Sequence, residues 1–155
     1  MISSGHRNPS GLLLHEGVLW EIEHGPKGGD ELNVITEGSD YGWPTVSSGE
    51  PDDHDHASFT KRLPGFVDPV FTWTPAIAPS SLALWRGKLY VGTLQGRSVV
   101  ELTIKGRDIV SQARFFESGQ RIRDVRAAPD DSSLWIITDG ANAELIQIRV
   151  DGIAR

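Results

Sequence analysis

Three turn-rich motifs crowd the start of the chain: Gly5-His6-Arg7-Asn8-Pro9, His24-Gly25-Pro26-Lys27-Gly28-Gly29-Asp30-Glu31 and Asp40-Tyr41-Gly42-Trp43-Pro44. Turns need Gly, Pro and Asn, but these also hold Arg, His, Glu, Tyr and Trp. Loops carry sites while the elements they join carry the core, so the segment reads as site-forming loops on a scaffold. Arg7, Arg121 and Arg123 can each grip a carboxylate through two parallel hydrogen bonds. Arg121 and Arg123 flank Ile122, and on a strand they share one face while Ile122 takes the other. Read alone, they are equally the exposed arginines of a solvated strand. The Gly25-Pro26 turn offers carbonyls not committed to a sheet, which suits calcium, a cation of many oxygen ligands. Asp30 and Glu31 alone fall far short of an EF-hand's ligand density and also read as a plain solvated turn. Trp43 and Trp73 can stack on a flat ligand or pack the core. His54 and His56, among Asp52, Asp53 and Asp55, could chelate a metal or line a solvated loop, since no spacing there fixes a geometry.

The elements that must position these groups read as strands. Gly17–Glu23 alternates, as does Leu32–Ile35. Phe66–Trp73 is a further candidate, with Pro69 suggesting an edge or a bulge. A regular series follows: Ser81–Trp85, Leu89–Gly92, Ser98–Ile104, Asp108–Phe116, Ile122–Ala127, Ser133–Thr138 and Glu144–Val150, with turn signals between them. Only Ile109–Phe116 is ambiguous between strand and helix. Short strands with a turn between each point to a sandwich, barrel or propeller. The segments starting at Leu82 and Val125 share a pattern of strand, tight polar turn and Leu-aromatic-β-branched residues. That weak repeat favours propeller blades of four-stranded sheets.

Bulk composition excludes several classes. A net charge of −6 argues against nucleic acid as a partner. No apolar run is long enough to cross a bilayer. Leu12–Leu14 is too short for a signal-peptide core, and Met1-Ile2-Ser3-Ser4 is not basic. The absence of cysteine removes disulfides and thiolate metal sites. At 155 residues the chain suits one domain, with no linker to divide it. There is no dinucleotide-binding glycine motif, Walker loop or serine-nucleophile elbow.

Five motifs in one order closely resemble the soluble quinoprotein glucose/sorbosone (aldose sugar) dehydrogenases. They are Gly-His-Arg-Asn-Pro at 5–9, His-Gly-Pro-Lys-Gly-Gly-Asp-Glu at 24–31, Tyr-Gly-Trp-Pro at 41–44, Trp-Thr-Pro-Ala-Ile-Ala-Pro-Ser at 73–80 and Arg-Ile-Arg-Asp-Val at 121–125. The resemblance implies an all-β chain forming about half of a six-bladed β-propeller, the C-terminal half. It implies pyrroloquinoline quinone (PQQ) and calcium as cofactors, an aldose oxidised at C1 to the lactone, and a periplasmic or extracellular setting. PQQ binding is carried to Arg7, Asn8, Thr93, Leu94, Gln95, Arg121 and Arg123. Calcium at PQQ is carried to the carbonyls of Gly25 and Pro26, and a second, structural calcium to Glu31 and Tyr41.

Two positions depart from the family pattern. Gln95 stands where a lysine usually contacts PQQ, and Ser10 where glutamine is usual. The catalytic histidine belongs to the portion that precedes Gly5 in the family, so no residue here is assigned as base; His6 and His24 orient loops. The chain alone is therefore expected to be inactive. Alternatives are a non-catalytic propeller-type binding module and a truncated reading frame. An open propeller edge further implies self-association or a partner supplying the N-terminal half.

Overall fold

The computed structural model describes residues 1–51 and 59–149. Eleven strands make up its regular structure, and among the described residues there is no helix. They are β1 (Pro9–His15), β2 (Val18–Glu23), β3 (Asp30–Ile35), β4 (Phe71–Trp73), β5 (Pro79–Trp85), β6 (Lys88–Thr93), β7 (Ser98–Lys105), β8 (Asp108–Glu117), β9 (Arg121–Ala127), β10 (Ser133–Asp139) and β11 (Leu145–Arg149). Each pairs antiparallel with its sequence neighbour to give three sheets, β1–β4, β5–β8 and β9–β11. The first strands of the sheets, β1, β5 and β9, pack side by side. The sheets are thus successive blades of a β-propeller, as the repeat implied.

Alternation along the strands explains the packing. On β5–β7, Leu82, Leu89, Val91, Val100 and Leu102 face the first blade and meet Trp20, Ile22, Leu32 and Val34. Ala83, Trp85, Tyr90 and Val99 face the third blade and meet Ile122, Val125, Leu134 and Ile136. The middle blade is apolar on both faces because both are covered, which is why its strands read as near-continuous apolar runs. The two repeated segments are the hairpins β5–β6 and β9–β10. Leu89 and Leu134 match in full burial, whereas Tyr90 is 4% and Trp135 37% exposed. Among the described residues no further blade covers that aromatic. Leu12 and Leu14 on the first blade, and Ile137 and Leu145 on the third, are exposed in the same way.

Two readings of the strands need correction, and one ambiguity is resolved. β1 was hidden by Pro9 and Gly11, which interrupt alternation. The candidate Phe66–Trp73 shrinks to Phe71–Trp73, because Pro69 has no N–H to extend the ladder along β3. Ile109–Phe116 is strand and not helix. Val150, the end of the last expected strand, lies outside the described residues, as do Asp52, Asp53, His54, Asp55 and His56.

Candidate functional site

Antiparallel pairing brings the predicted site residues to one end of the propeller. The starts of β1, β5 and β9 pair with the ends of β2, β6 and β10: Pro9 with Glu23, Pro79 with Thr93, Arg121 with Asp139. Residues 5–8, the loop after Glu23, Leu94–Arg97 and Arg121 therefore share that end. Thr74–Ala78, which leave β4, join them.

The N-terminal segment is fixed by backbone bonds to the 38–43 loop: Tyr41 N–H to Ser4 O at 2.9 Å and Trp43 N–H to Gly5 O at 2.8 Å. Gly5 has φ 74°, and a Cβ there would collide with the Asp40 carboxylate and the Gly42 amide. Only glycine admits this approach. His6 then stacks on Tyr41, ring centroids 4.6 Å apart. The Arg7 guanidinium lies 5.2 Å above Trp43 and donates to Gly25 O at 3.2 Å. The loop 24–30 is held from within by Asp30, whose Oδ1 accepts Gly25 N–H and whose Oδ2 accepts the Ile77 and Ala78 amides. Gly29, at φ 67°, lies so close to the Gly49 backbone that no side chain fits.

Arg7, Gly25, Glu31 and Tyr41 line one cavity of about 10 Å³, with Glu23 and His24 completing its polar wall. That is room for a single ion or water. His24 also borders a second, open cleft of about 410 Å³, with Leu94, Gln95, Arg97 and Arg121. Its Nε2–H donates to Pro79 O at 2.7 Å, so it orients the loop as expected. Ser10 donates to the same carbonyl at 2.7 Å, and its short side chain ties the first blade to the second.

Several predicted residues are committed to the scaffold. Thr93 is fully buried, and its hydroxyl donates to Ser98 O and accepts Ser98 N–H. Leu94 is 9% exposed, with its N–H on Ala78 O. The Tyr41 hydroxyl serves Val34 O and Thr36 N–H, leaving only its backbone for a ligand role. Trp73 belongs to the core. Asn8 is exposed beside Arg7, and its N–H donates to Glu23 Oε2 at 3.2 Å. Pro26 is half-buried in the loop beside Gly25. Arg121 and Arg123 share one face, and both donate to Asp139 Oδ2, at 3.2 and 2.5 Å. Their hydrogen bonds, that of Arg123 first, hold the Asp139 carboxyl below its usual range.

Two features escaped the sequence reading. Arg97 brings a guanidinium to the cleft that Gln95 leaves uncharged; its place two residues after Gln95 was the available signal. The second is a buried acidic patch. Glu21 and Glu23 on β2 lie opposite Asn33 and Glu31 on β3, all on the face away from the middle blade. Burial, then the charge of Glu23, pushes the Glu21 carboxyl up to about 8. The same causes, in that order, raise Glu31 to about 7.

The glucose/sorbosone dehydrogenase family model matches residues 1–147. The chain belongs to this family. Aldose sugar dehydrogenase YliI of Escherichia coli K12 is 34% identical, over 94% of this chain and 43% of its own length. The apo-form structure of soluble aldose sugar dehydrogenase from Escherichia coli superposes with a TM-score of 0.87 at 32% identity, covering 95% of this chain and 46% of that one. The PQQ-bound form of aldose sugar dehydrogenase from Streptomyces coelicolor gives 0.79 at 28% identity, covering 96% and 45%. The chain thus spans about two fifths of the curated relatives' length, from 38% to 43%. Three blades in 46% of a relative's chain accord with a six-bladed ring. No helix among the described residues is long and apolar enough to cross a membrane.

Proposed function

We propose that this chain forms the cofactor-binding half of a quinoprotein sugar dehydrogenase that oxidises an aldose at C1 to the lactone. The observation that carries the reading is the junction at His24. One side is a single-ion cavity bordered by Arg7, Gly25, Glu31 and Tyr41; the other is an open cleft with Arg97, Gln95 and Arg121. A planar tricarboxylate beside a calcium ion needs this combination of guanidiniums and oxygen ligands. When bound, PQQ supplies the redox step by accepting a hydride from the sugar.

The chain's own residues do the placing. Arg7 and Arg121 pair with the cofactor's carboxylates, Arg97 supplies the charge that Gln95 lacks, and Gln95 donates its amide N–H. Gly25 and Pro26 offer carbonyls to the calcium at the cofactor, and Gly25 O also accepts a hydrogen bond from the Arg7 guanidinium. Glu31 and the Tyr41 backbone hold the structural calcium. The base comes from outside this set of residues, so the chain alone does not turn over. Leu12 and Leu14 on one outer blade, and Trp135, Ile137 and Leu145 on the other, meet the remaining blades or a second copy. The setting that fits the family is periplasmic or extracellular.

Titrating PQQ into the chain while following tryptophan fluorescence tests the reading. Saturable quenching that requires calcium and weakens at least tenfold in Arg121→Ala is expected, with no aldose-dependent dye reduction. Absence of quenching at high micromolar PQQ favours a non-catalytic binding module instead. The specific observation on that side is Asp139, which already occupies Arg121 and Arg123.

A further inference from the structure

We propose that His6, Glu21 and Glu23 form a site for one divalent cation of the transition series, beside the ion-sized cavity whose wall Glu23 shares with Glu31 and independent of the quinone reading. One ligand atom from each lies within 4.8 Å of the others. A point within about 2.8 Å of all three therefore exists, and a small contraction reaches the 2.0–2.2 Å of zinc–nitrogen and zinc–carboxylate bonds. His6 Nδ1 and Glu23 Oε1 are 3.3 Å apart, close to the edge of a zinc tetrahedron. Glu21 Oε2 is 4.0 Å from the same nitrogen.

His6 and Glu23 are already oriented by partners on their far sides, as metal ligands are. His6 Nε2 lies 2.9 Å from Ser3 Oγ, and its ring is stacked on Tyr41. Glu23 Oε2 accepts the Arg7 N–H at 2.6 Å and the Asn8 N–H at 3.2 Å, leaving Oε1 for the centre. Asn33 Nδ2 donates to Glu21 Oε2 at 3.0 Å and Glu23 Oε1 at 3.2 Å. His6 Nδ1 faces a Glu23 carboxylate oxygen at 3.3 Å, so either the Nδ1–H or, in the other tautomer, a cation lies between them.

A second observation points to the cation. Glu21 is 2% exposed and Asn33 is 0% exposed, yet Glu21 Oε1 and Asn33 Oδ1 have no hydrogen-bond partner. When its carboxyl groups are ionised, the patch has more acceptors than donors and an excess of negative charge. Burying such groups unpaired is costly, and a coordinated cation removes the deficit. The imidazole in the donor set favours zinc over calcium, which takes oxygen, and the two carboxylates also suit manganese.

The test uses the chain stripped with a chelator and then exposed to Zn²⁺ or Mn²⁺ alone. One tightly held equivalent by elemental analysis, with a raised melting temperature, is expected. An anomalous-scattering peak at the zinc edge should sit among His6 Nδ1, Glu21 and Glu23. Glu21→Gln, close to isosteric, should weaken Zn²⁺ binding by roughly 10- to 100-fold. Glu31→Gln should keep the zinc while losing any calcium of the structural site, so the two proposals fail separately. A density peak elsewhere, equal zinc affinity in Glu21→Gln, or only a water at the position in zinc-soaked crystals overturns the assignment. The peak in the unmodified protein decides the matter even if the variants do not fold.

Discussion

Two charged clusters lie at the same end of the propeller, and they behave in opposite ways. In the third blade, Arg121 and Arg123 converge on Asp139 at the surface, where opposite charges meet and water reaches every group. In the first blade, Glu21, Glu23 and Glu31 face one another beneath residues 3–7 and the 40–48 loop, with His6 and Asn33 among them. Both arise from charged residues at alternate positions of a strand. What separates them is cover: a later loop turns one alternation into a buried, uncompensated patch. Charge on a strand is cheap or costly according to what is laid over it.

The contrast is sharpest against pH. In the cation-free chain, folded Glu21 and Glu31 keep protons that the unfolded chain releases above about pH 4.5. Folding therefore takes up protons, and stability falls as pH rises from about 4.5 through 7 to 8, then levels. The slope is at most about 1.4 kcal/mol per pH unit for each group. Urea midpoints between pH 5 and 9 should show the fall, and Glu21→Gln should remove much of it. A flat profile in the unmodified chain would break the comparison. Asp139 works in the other direction: its lowered pKa contributes stability at neutral pH that is lost only in acid, weakly because it is exposed.

Next in size is Glu23→Ala. It leaves the Arg7 and Asn8 amides without their acceptor and frees His6, and should cost about 2–3 kcal/mol by chemical denaturation. A loss below about 1 kcal/mol would show that relief of acid–acid repulsion offsets those bonds. The smallest effect belongs to the surface cluster. Asp139→Asn should leave the melting temperature unchanged within error, since exposed ion pairs contribute little. The same variant should tighten PQQ binding by releasing two guanidiniums, and weaker binding would instead make Asp139 a positioning group for them.

Much of this architecture was legible. The middle blade announces itself because both faces are apolar, and turns such as Arg86-Gly87 mark its hairpins; both of those residues take positive φ. The convergence of Arg7 and Gly25 followed from motif order and a resemblance, not from periodicity. β1 was missed because a proline and a glycine interrupt it, and its exposed Leu12 and Leu14 reverse the usual polarity. The acidic patch was missed for a different reason. Trp20-Glu21-Ile22-Glu23 looks like a strand with one wet face, and the segments that dry it are distant in sequence. The readable signal was a pair of i, i+2 acids facing Glu31 and Asn33 one strand away. Asp139 as the partner of both arginines needed the β9–β10 register, which no local pattern supplies.

His24 is the common wall of the ion-sized cavity and the anion cleft, and it is tethered to the first strand of the neighbouring blade. A small rotation of one blade against the next must move that ring, and it changes both compartments in a single motion. Metal occupancy and anion affinity are thereby geared together, so a substitution in the seam between the two blades would retune both at once.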